Sequence, residues 1–267
     1  MTIAIASKCI GGTVMIADKE ITLADGSKTI GDKIYSRDFK FGTVTLASAT
    51  EDGLAAESLA ENIFAHLGNL TTTHGTVSGV VEMVRDEMQR WHGAYTAGTT
   101  PALSYLLVIS AFGNQELYVI EPPRTVLSKH AYAIGSGARV AQPILDRLIP
   151  GGDVPAQGAA FQPRTSMMFL AYMAKRAATE TAMVGGGFDG LFMPIIGRIR
   201  RAASLDMMFA EEMVFTVDQC LDRVLFFLMS LTDEEDREKS AIALREDMIF
   251  VSSQLAKQEP FESLTKE

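Results

Sequence analysis

Apolar and polar positions along the chain follow two different periods, in separate blocks. From Ile3 to Ala17 the sequence is dense in Ile and Val and is broken at Gly11-Gly12, which predicts two short strands of a hairpin. Lys33 to Ala49 gives a second strand pair, with Val44 and Leu46 alternating against Thr43 and Thr45. The period then changes. Leu59, Ile63, Phe64 and Leu67 recur at helical spacing, as do Val77, Val80, Val81, Val84, Met88 and Trp91, with a loop over 68–76 between them. Leu103 to Ile109 and Glu116 to Ile120 predict a hairpin across Gly113-Asn114, ended by Pro122-Pro123. A strand through Tyr132 to Ile134 runs into Gly135-Ser136-Gly137 and then a helix as far as Leu148, where Pro150-Gly151-Gly152 breaks it. Met167 to Met183 is a further helix, and Phe188 to Ile196 a strand after the turn at Gly185-Gly186-Gly187. Beyond that the pattern is helical: Leu205 to Met229, then a segment opened by Thr232-x-x-Glu235 in the form of a capping box.

Strands and helices in segregated blocks indicate an α+β layered domain instead of a βαβ array. At 267 residues the chain is somewhat longer than an average domain, so the simplest division is one domain over residues 1–200 and a helical C-terminal extension over 201–267. In that extension Val217, Leu221, Val224, Leu225 and Leu228 recur at helical spacing, so it is expected to dock on a surface.

Composition narrows the function classes. With 47% hydrophobic and 21% charged residues the chain is an ordinary soluble globular protein. A net charge of -9 and a pI near 5.0 argue against sequence-independent binding to nucleic acid or acidic lipid. The run Arg198, Arg200 and Arg201 is short and reads as solvated. Cys9 and Cys220 form neither a disulfide framework nor a CxxC site, which points to a reducing cytoplasm. The N-terminus has no signal-peptide pattern, and the longest apolar run, about Leu103 to Phe112, is too short to span a bilayer. His66, His74, His92 and His130 lack metal-ligand spacing, and Gly185 to Gly187 lacks the spacing of a phosphate loop, so no metal or cofactor is expected.

Candidate chemistry sits in the first hairpin. Centring its turn on Ile10 sets Thr2 opposite Asp18, because their numbers sum to twenty. Removal of Met1 would leave Thr2 with both a hydroxyl and a free α-amine. An α-amine titrates near 8, so a useful fraction is neutral at physiological pH and accepts the hydroxyl's proton. Nucleophile and base then come from one residue.

The segment Ile16-Ala17-Asp18-Lys19-Glu20-Ile21-Thr22, the later Lys33-Ile34, and Ala133-Ile134-Gly135-Ser136-Gly137 resemble the proteasome β-subunit and HslV family of N-terminal-nucleophile hydrolases. The resemblance covers roughly residues 2–196. It implies a four-layer αββα sandwich of two antiparallel sheets between helical layers. It implies Thr2 as nucleophile, Asp18 sixteen residues on, Lys33 beside both, and Ser136 supporting the amine. Thr22 would bind the substrate backbone, and the N–H of about Ala49 would form the oxyanion hole. Lys33 would lower the pKa of the Thr2 hydroxyl and amine, and Asp18 would hold that lysine charged. The chain departs from the family at two places. It reads Ala47-Ser48-Ala49 where the family has a Gly-x-Gly turn, and Thr181 stands where the family has a supporting Asp, with Glu180 one residue away.

The function so implied is threonine-type endopeptidase activity on unfolded polypeptide, in a ring or double ring of identical subunits. Without a nucleotide loop in this chain, ATP-driven unfolding would fall to a separate ATPase partner. Two alternatives stay open: a non-catalytic structural subunit of such a ring, and an N-terminal-nucleophile amidase acting on small molecules.

Overall fold

A two-residue turn at Ile10-Gly11, with Gly11 at φ 77°, folds β1 (Ile3–Cys9) and β2 (Gly12–Asp18) into an antiparallel hairpin. Cys9 opposes Gly12 and Ala4 opposes Ala17. The turn therefore has two residues, not one centred on Ile10. The register moves by one, and Ile3 instead of Thr2 comes level with Asp18.

In chain order there follow β3 (Glu20–Thr22), β4 (Lys28–Ile30), β5 (Ile34–Phe39), β6 (Gly42–Thr50), α1 (Gly53–Gly68), α2 (Val77–Ala94), β7 (Leu103–Ala111) and β8 (Asn114–Glu121). Then come β9 (Arg124–Ser128), β10 (Ala131–Gly135), α3 (Ala138–Leu148), α4 (Pro163–Glu180), β11 (Phe188–Pro194) and β12 (Arg200–Arg201). The computed structural model describes residues 2–22, 27–50, 52–69, 76–94, 103–111, 113–121, 124–128, 130–148, 163–181, 184–185, 187–195 and 199–201. The chain divides into two compact units, Met1–Met207 and Met208–Glu267. All the described elements belong to the first. The helices expected from Leu205 onward lie outside the described residues, as do His74, Arg198 and Cys220.

Two five-stranded antiparallel sheets carry the fold, in the orders β10-β1-β2-β11-β12 and β5-β6-β7-β8-β9, while β3 and β4 pair only with each other. Strand alternation assigns each face. Ala4, Ala6, Met15 and Ala17 of the first sheet pack against Ala47, Ala49, Leu106 and Val108 of the second. On the other face of the second sheet, Val44, Leu46, Tyr105 and Leu107 meet Leu59, Ile63 and Phe64 of α1 and Val80, Val84 and Met88 of α2. The alternate residues of the first sheet, Ile3, Ile5, Val14 and Ile16, are fully buried, and α4 packs along β1 and β2. Burial of this order contributes about 1.5–3 kcal/mol per large apolar side chain.

Helix α1 begins where Asp52, in extended conformation, accepts the Ala55 N–H at 3.0 Å, a cap worth about 1 kcal/mol. Gly12 has a packing reason: a Cβ there would sit 2.2 Å from Met193 O on β11. β3, β4, β9 and β12 lie outside the predicted elements. The first two are three residues each, and β12 is a two-residue edge pairing Arg201 with Leu191 and Arg200 with Phe192. Arg201 is exposed, with its guanidinium 3.8 Å from Asp32. Among the described residues no helix is long and apolar enough to cross a membrane.

Candidate active site

The hairpin brings the ends of β1 and β2 to one place, and the segment entering β5 delivers a lysine to the same place. Lys33 is 3% exposed, Asp18 0% and Thr2 1%. The Lys33 ammonium donates to Thr2 Oγ1 at 2.5 Å, to Asp18 Oδ1 at 2.9 Å and to the Glu20 carbonyl at 2.5 Å. Those three bonds match the three N–H donors of an ammonium. The Thr2 hydroxyl donates to Asp18 Oδ1, which also accepts the Ile3 N–H at 2.8 Å. Asp18 Oδ2 accepts the Gly185 N–H at 3.4 Å. The shift in hairpin register thus leaves Thr2 and Asp18 bonded, because the carboxylate reaches back along β1 by one residue.

Charge in so buried a place must be paired and hydrogen-bonded. Burial pushes the Lys33 ammonium below the ordinary lysine value, and Asp18 and then Glu20 oppose that push. The arrangement sets a cation on the Thr2 oxygen, which stabilises its alkoxide form. Chemically, it is an activated hydroxyl with a fixed counter-charge.

The carbonyl of Thr2 is held as firmly as its side chain. Ser136 Oγ donates to it at 3.4 Å and the Gly137 N–H at 3.4 Å. Gly135 stands at φ 89°, and a Cβ there would lie 2.2 Å from Thr2 O and 3.2 Å from the Ala49 Cβ. Ser136 therefore reaches Thr2 through its carbonyl, where the sequence reading has it supporting the amine.

Residues 47–49 belong to the interior of β6, with no turn there. Ser48 N–H donates to Lys33 O at 2.9 Å, and successive N–H groups of a strand point to opposite sides. The Ala49 N–H consequently faces β7, where Ser104 is its register partner. Ser48 and, past the start of β5, Thr50 present theirs on the Lys33 side. Thr22 ends β3 in register with Lys28; its side chain is outside the described residues. Glu180 is not brought to the site: its carboxylate is 48% exposed and pairs with Arg176 at 3.1 Å, one helical turn away. Thr181 is buried with a hydroxyl that has no hydrogen-bond partner among the described residues.

Two participants were missed from sequence. They are the Gly185 N–H and Glu20, whose N–H donates to Gly185 O at 3.0 Å. The signal for Glu20 was its place two residues after Asp18, which puts both on one side of an extended chain. A cleft of about 1070 Å³ at the β5–β6 turn and the end of α1 includes none of the site's residues.

The order Thr2, Asp18, Lys33, Gly135-Ser136-Gly137 thus corresponds to one cluster in space. The profile of the proteasome subunit family matches residues 2–153, more than half of the 267. The chain belongs to the proteasome subunit family.

Solved structures agree with that fold. Anbu (ancestral beta-subunit) from Yersinia bercovieri matches with a TM-score of 0.68 at 13% identity, over 84% of this chain and 96% of that one. Anbu from Hyphomicrobium sp. strain MC1 matches over 97% of this chain and 99% of that one, with a TM-score of 0.61 and 16% identity. The Anbu complex from Pseudomonas aeruginosa, described as a helical assembly, matches at 0.64 and 15% identity, over 83% and 96%. No curated protein sequence matches. In this proteasome-family subunit the cluster at Thr2 is the place to seek chemistry.

Proposed function

We propose that this proteasome-family subunit is a threonine-type endopeptidase in a self-compartmentalising assembly of identical subunits. One observation carries the reading: the Lys33 ammonium bridges Thr2 Oγ1 at 2.5 Å and Asp18 Oδ1 at 2.9 Å in a buried setting. After Met1 is removed, the free Thr2 amine takes the hydroxyl proton. Oγ1 then bonds to the scissile carbonyl carbon, and the C–N bond breaks as the leaving amine receives the proton. Water hydrolyses the resulting ester and restores Thr2. Lys33 and Asp18 hold the developing charge on Oγ1, Ser136 fixes the Thr2 backbone, and Thr22 with the backbone of 48–50 aligns the substrate chain.

The four-layer αββα arrangement fits the packing of α1 and α2 on one sheet and α4 on the other. In this reading residues 201–267 remain a helical C-terminal extension. The assembly is cytoplasmic, acts on unfolded polypeptide and takes any ATP-driven unfolding from a separate partner. A closed ring or double ring is the first arrangement to test. An open helix is the competing one, because the Pseudomonas aeruginosa relative is described as a helical assembly.

A second reading, a structural subunit without activity, is favoured by the solvent-facing Glu180 and by the Ala49 N–H turned to β7. Intact mass combined with a threonine-directed covalent electrophile separates the two. The enzyme reading expects mass without Met1, one adduct on Thr2 and no peptide cleavage by Thr2→Ala. Lys33→Ala should lower cleavage by roughly 10²–10⁴-fold, the scale of general-base catalysis. Retained Met1 together with no adduct would establish the structural subunit instead.

A further inference from the structure

Glu20 occupies a position that the site's first-order chemistry leaves unexplained. Its carbonyl accepts the Lys33 ammonium at 2.5 Å, and its N–H is held by Gly185 O at 3.0 Å. Its carboxylate is 15% exposed and folds back against Gly185, where an added Cβ would be 3.0 Å from Oε2. The other oxygen, Oε1, is buried and lies 2.6 Å from the Lys28 ammonium on β4, close but not aligned as a hydrogen bond. Gly185 in turn donates its N–H to Asp18 Oδ2 at 3.4 Å. A second, largely buried carboxylate therefore lies beside the same glycine that binds Asp18.

We propose that Glu20 is a positioning residue of this site, whose carboxylate, seated on Gly185 and tethered by Lys28, holds the Lys33 ammonium charged and in place. The proposal rests on the endopeptidase reading for its consequence in catalysis, and on geometry for its existence. Among the described residues the charges around this pair are few. Asp18 faces Lys33 from β2, and Lys28 faces Glu20 from β4. Lys19 pairs with Asp32 at 3.9 Å and with Asp189 of β11 at 3.2 Å, and Arg201 of β12 reaches Asp32 at 3.8 Å, so these four largely satisfy one another. Among the described residues Asp18 is thus the anion in contact with Lys33, while the Glu20 carboxylate acts on it from beyond ion-pair distance, and both favour its protonated form.

Two substitutions then have opposite signs. Glu20→Gln keeps the shape and removes the anion, so Lys33 loses its proton at lower pH. Lys28→Met removes the cation that offsets Glu20, so Lys33 keeps its proton to higher pH. A purely mechanical latch between β3 and β4 gives the other result, because both changes would loosen it alike. The test follows the rate of Thr2 modification by the electrophile against pH in the assembled full-length protein, for wild type and both variants. At pH 9 the rate for Glu20→Gln should fall below wild type, by up to about tenfold, and that for Lys28→Met should rise or hold, since each removed charge biases Lys33 toward the opposite protonation state. The same three proteins carrying ¹³C-labelled lysine are titrated by NMR to read Lys33 directly. Opposite displacements of the Lys33 titration support the proposal. Displacements of the same sign, or none, overturn it. Should wild type fail to react at Thr2 at all, the endopeptidase reading falls, while the lysine titration still decides the role of Glu20.

Discussion

The two ends of the β1–β2 hairpin both tie the two sheets together with polar groups, by opposite means. At the turn end the hydrogen-bonded links are neutral. Thr13 Oγ1 on β2 donates to Gln115 Oε1 on β8 at 2.6 Å, Gln115 Nε2 donates to Met193 O on β11 at 3.0 Å, and Ser110 Oγ on β7 donates to Ile195 O at 3.2 Å. At the open end the link is ionic, with Lys33 entering β5 and bound to Asp18 and Thr2 on the first sheet. Neutral hydrogen bonds would have closed the open end as well. A buried ion pair is a poor way to gain stability, since desolvation offsets most of its attraction. The contrast therefore separates a structural clamp from a group of residues retained for its charge.

The largest expected effect comes from breaking the ionic end by halves. Asp18→Ala leaves the Lys33 ammonium buried without its counter-charge, and the unfolding midpoint in urea should report a loss of about 3–5 kcal/mol. The double variant Asp18→Leu/Lys33→Met should recover most of that loss while cleavage stays absent. A double variant no more stable than the single would mean that the cluster is part of the scaffold. At the turn end, Gln115→Leu removes the partner of Thr13 and of Met193 O, costing about 1–3 kcal/mol with kcat unchanged.

A subtler effect separates the ends by pH. Lys33 is held below its unfolded value of about 10.4, so between those two values the unfolded chain binds more protons than the folded one. Stability therefore rises with pH through that window, by the linkage relation. Wild type minus Lys33→Met, measured by chemical denaturation at stepped pH, should show this positive slope, and Gln115→Leu should leave the slope in place. The smallest effect concerns Cys9, beside the turn. Burial raises its thiol to about 11. Alkylation at pH 8 should run on the order of 100-fold slower than for a free thiol and recover in denaturant.

The same division governs what was legible in the sequence. Strongly periodic elements were: α1, α2, β7 and β8 follow their apolar spacing, and Gly113 at φ 77° turns the β7–β8 hairpin one residue before the expected Gly113-Asn114, since Asn114 already pairs with Ala111. The trio Thr2, Asp18 and Lys33 was legible through the family resemblance, which places an Asp sixteen residues after the Thr and a Lys-Ile pair at the start of the third strand. β3 and β4 were not, since three-residue strands such as Lys28–Ile30, exposed throughout, carry no apolar rhythm. Glu20 offered only its place two residues after Asp18, too weak a signal to single it out. Its importance depends on the approach of Gly185, far along the chain, and nothing in a local pattern encodes that. Glu180 illustrates the converse, a carboxylate close in number to the expected position yet on the outer side of its helix.

One feature of the first sheet bears on the order of events during synthesis. Strand β1 lies between β2 and β10, and β2 lies between β1 and β11. The three residues of the cluster leave the ribosome within the first 33, but the strands that flank them are residues 131–135 and 188–194. A lone two-stranded hairpin is marginal in water. The nascent chain thus carries Thr2, Asp18 and Lys33 through the synthesis of β3 to α4 without the full sheet around them. On the endopeptidase reading, reactivity at Thr2 waits for β11, a latency set by strand order alone.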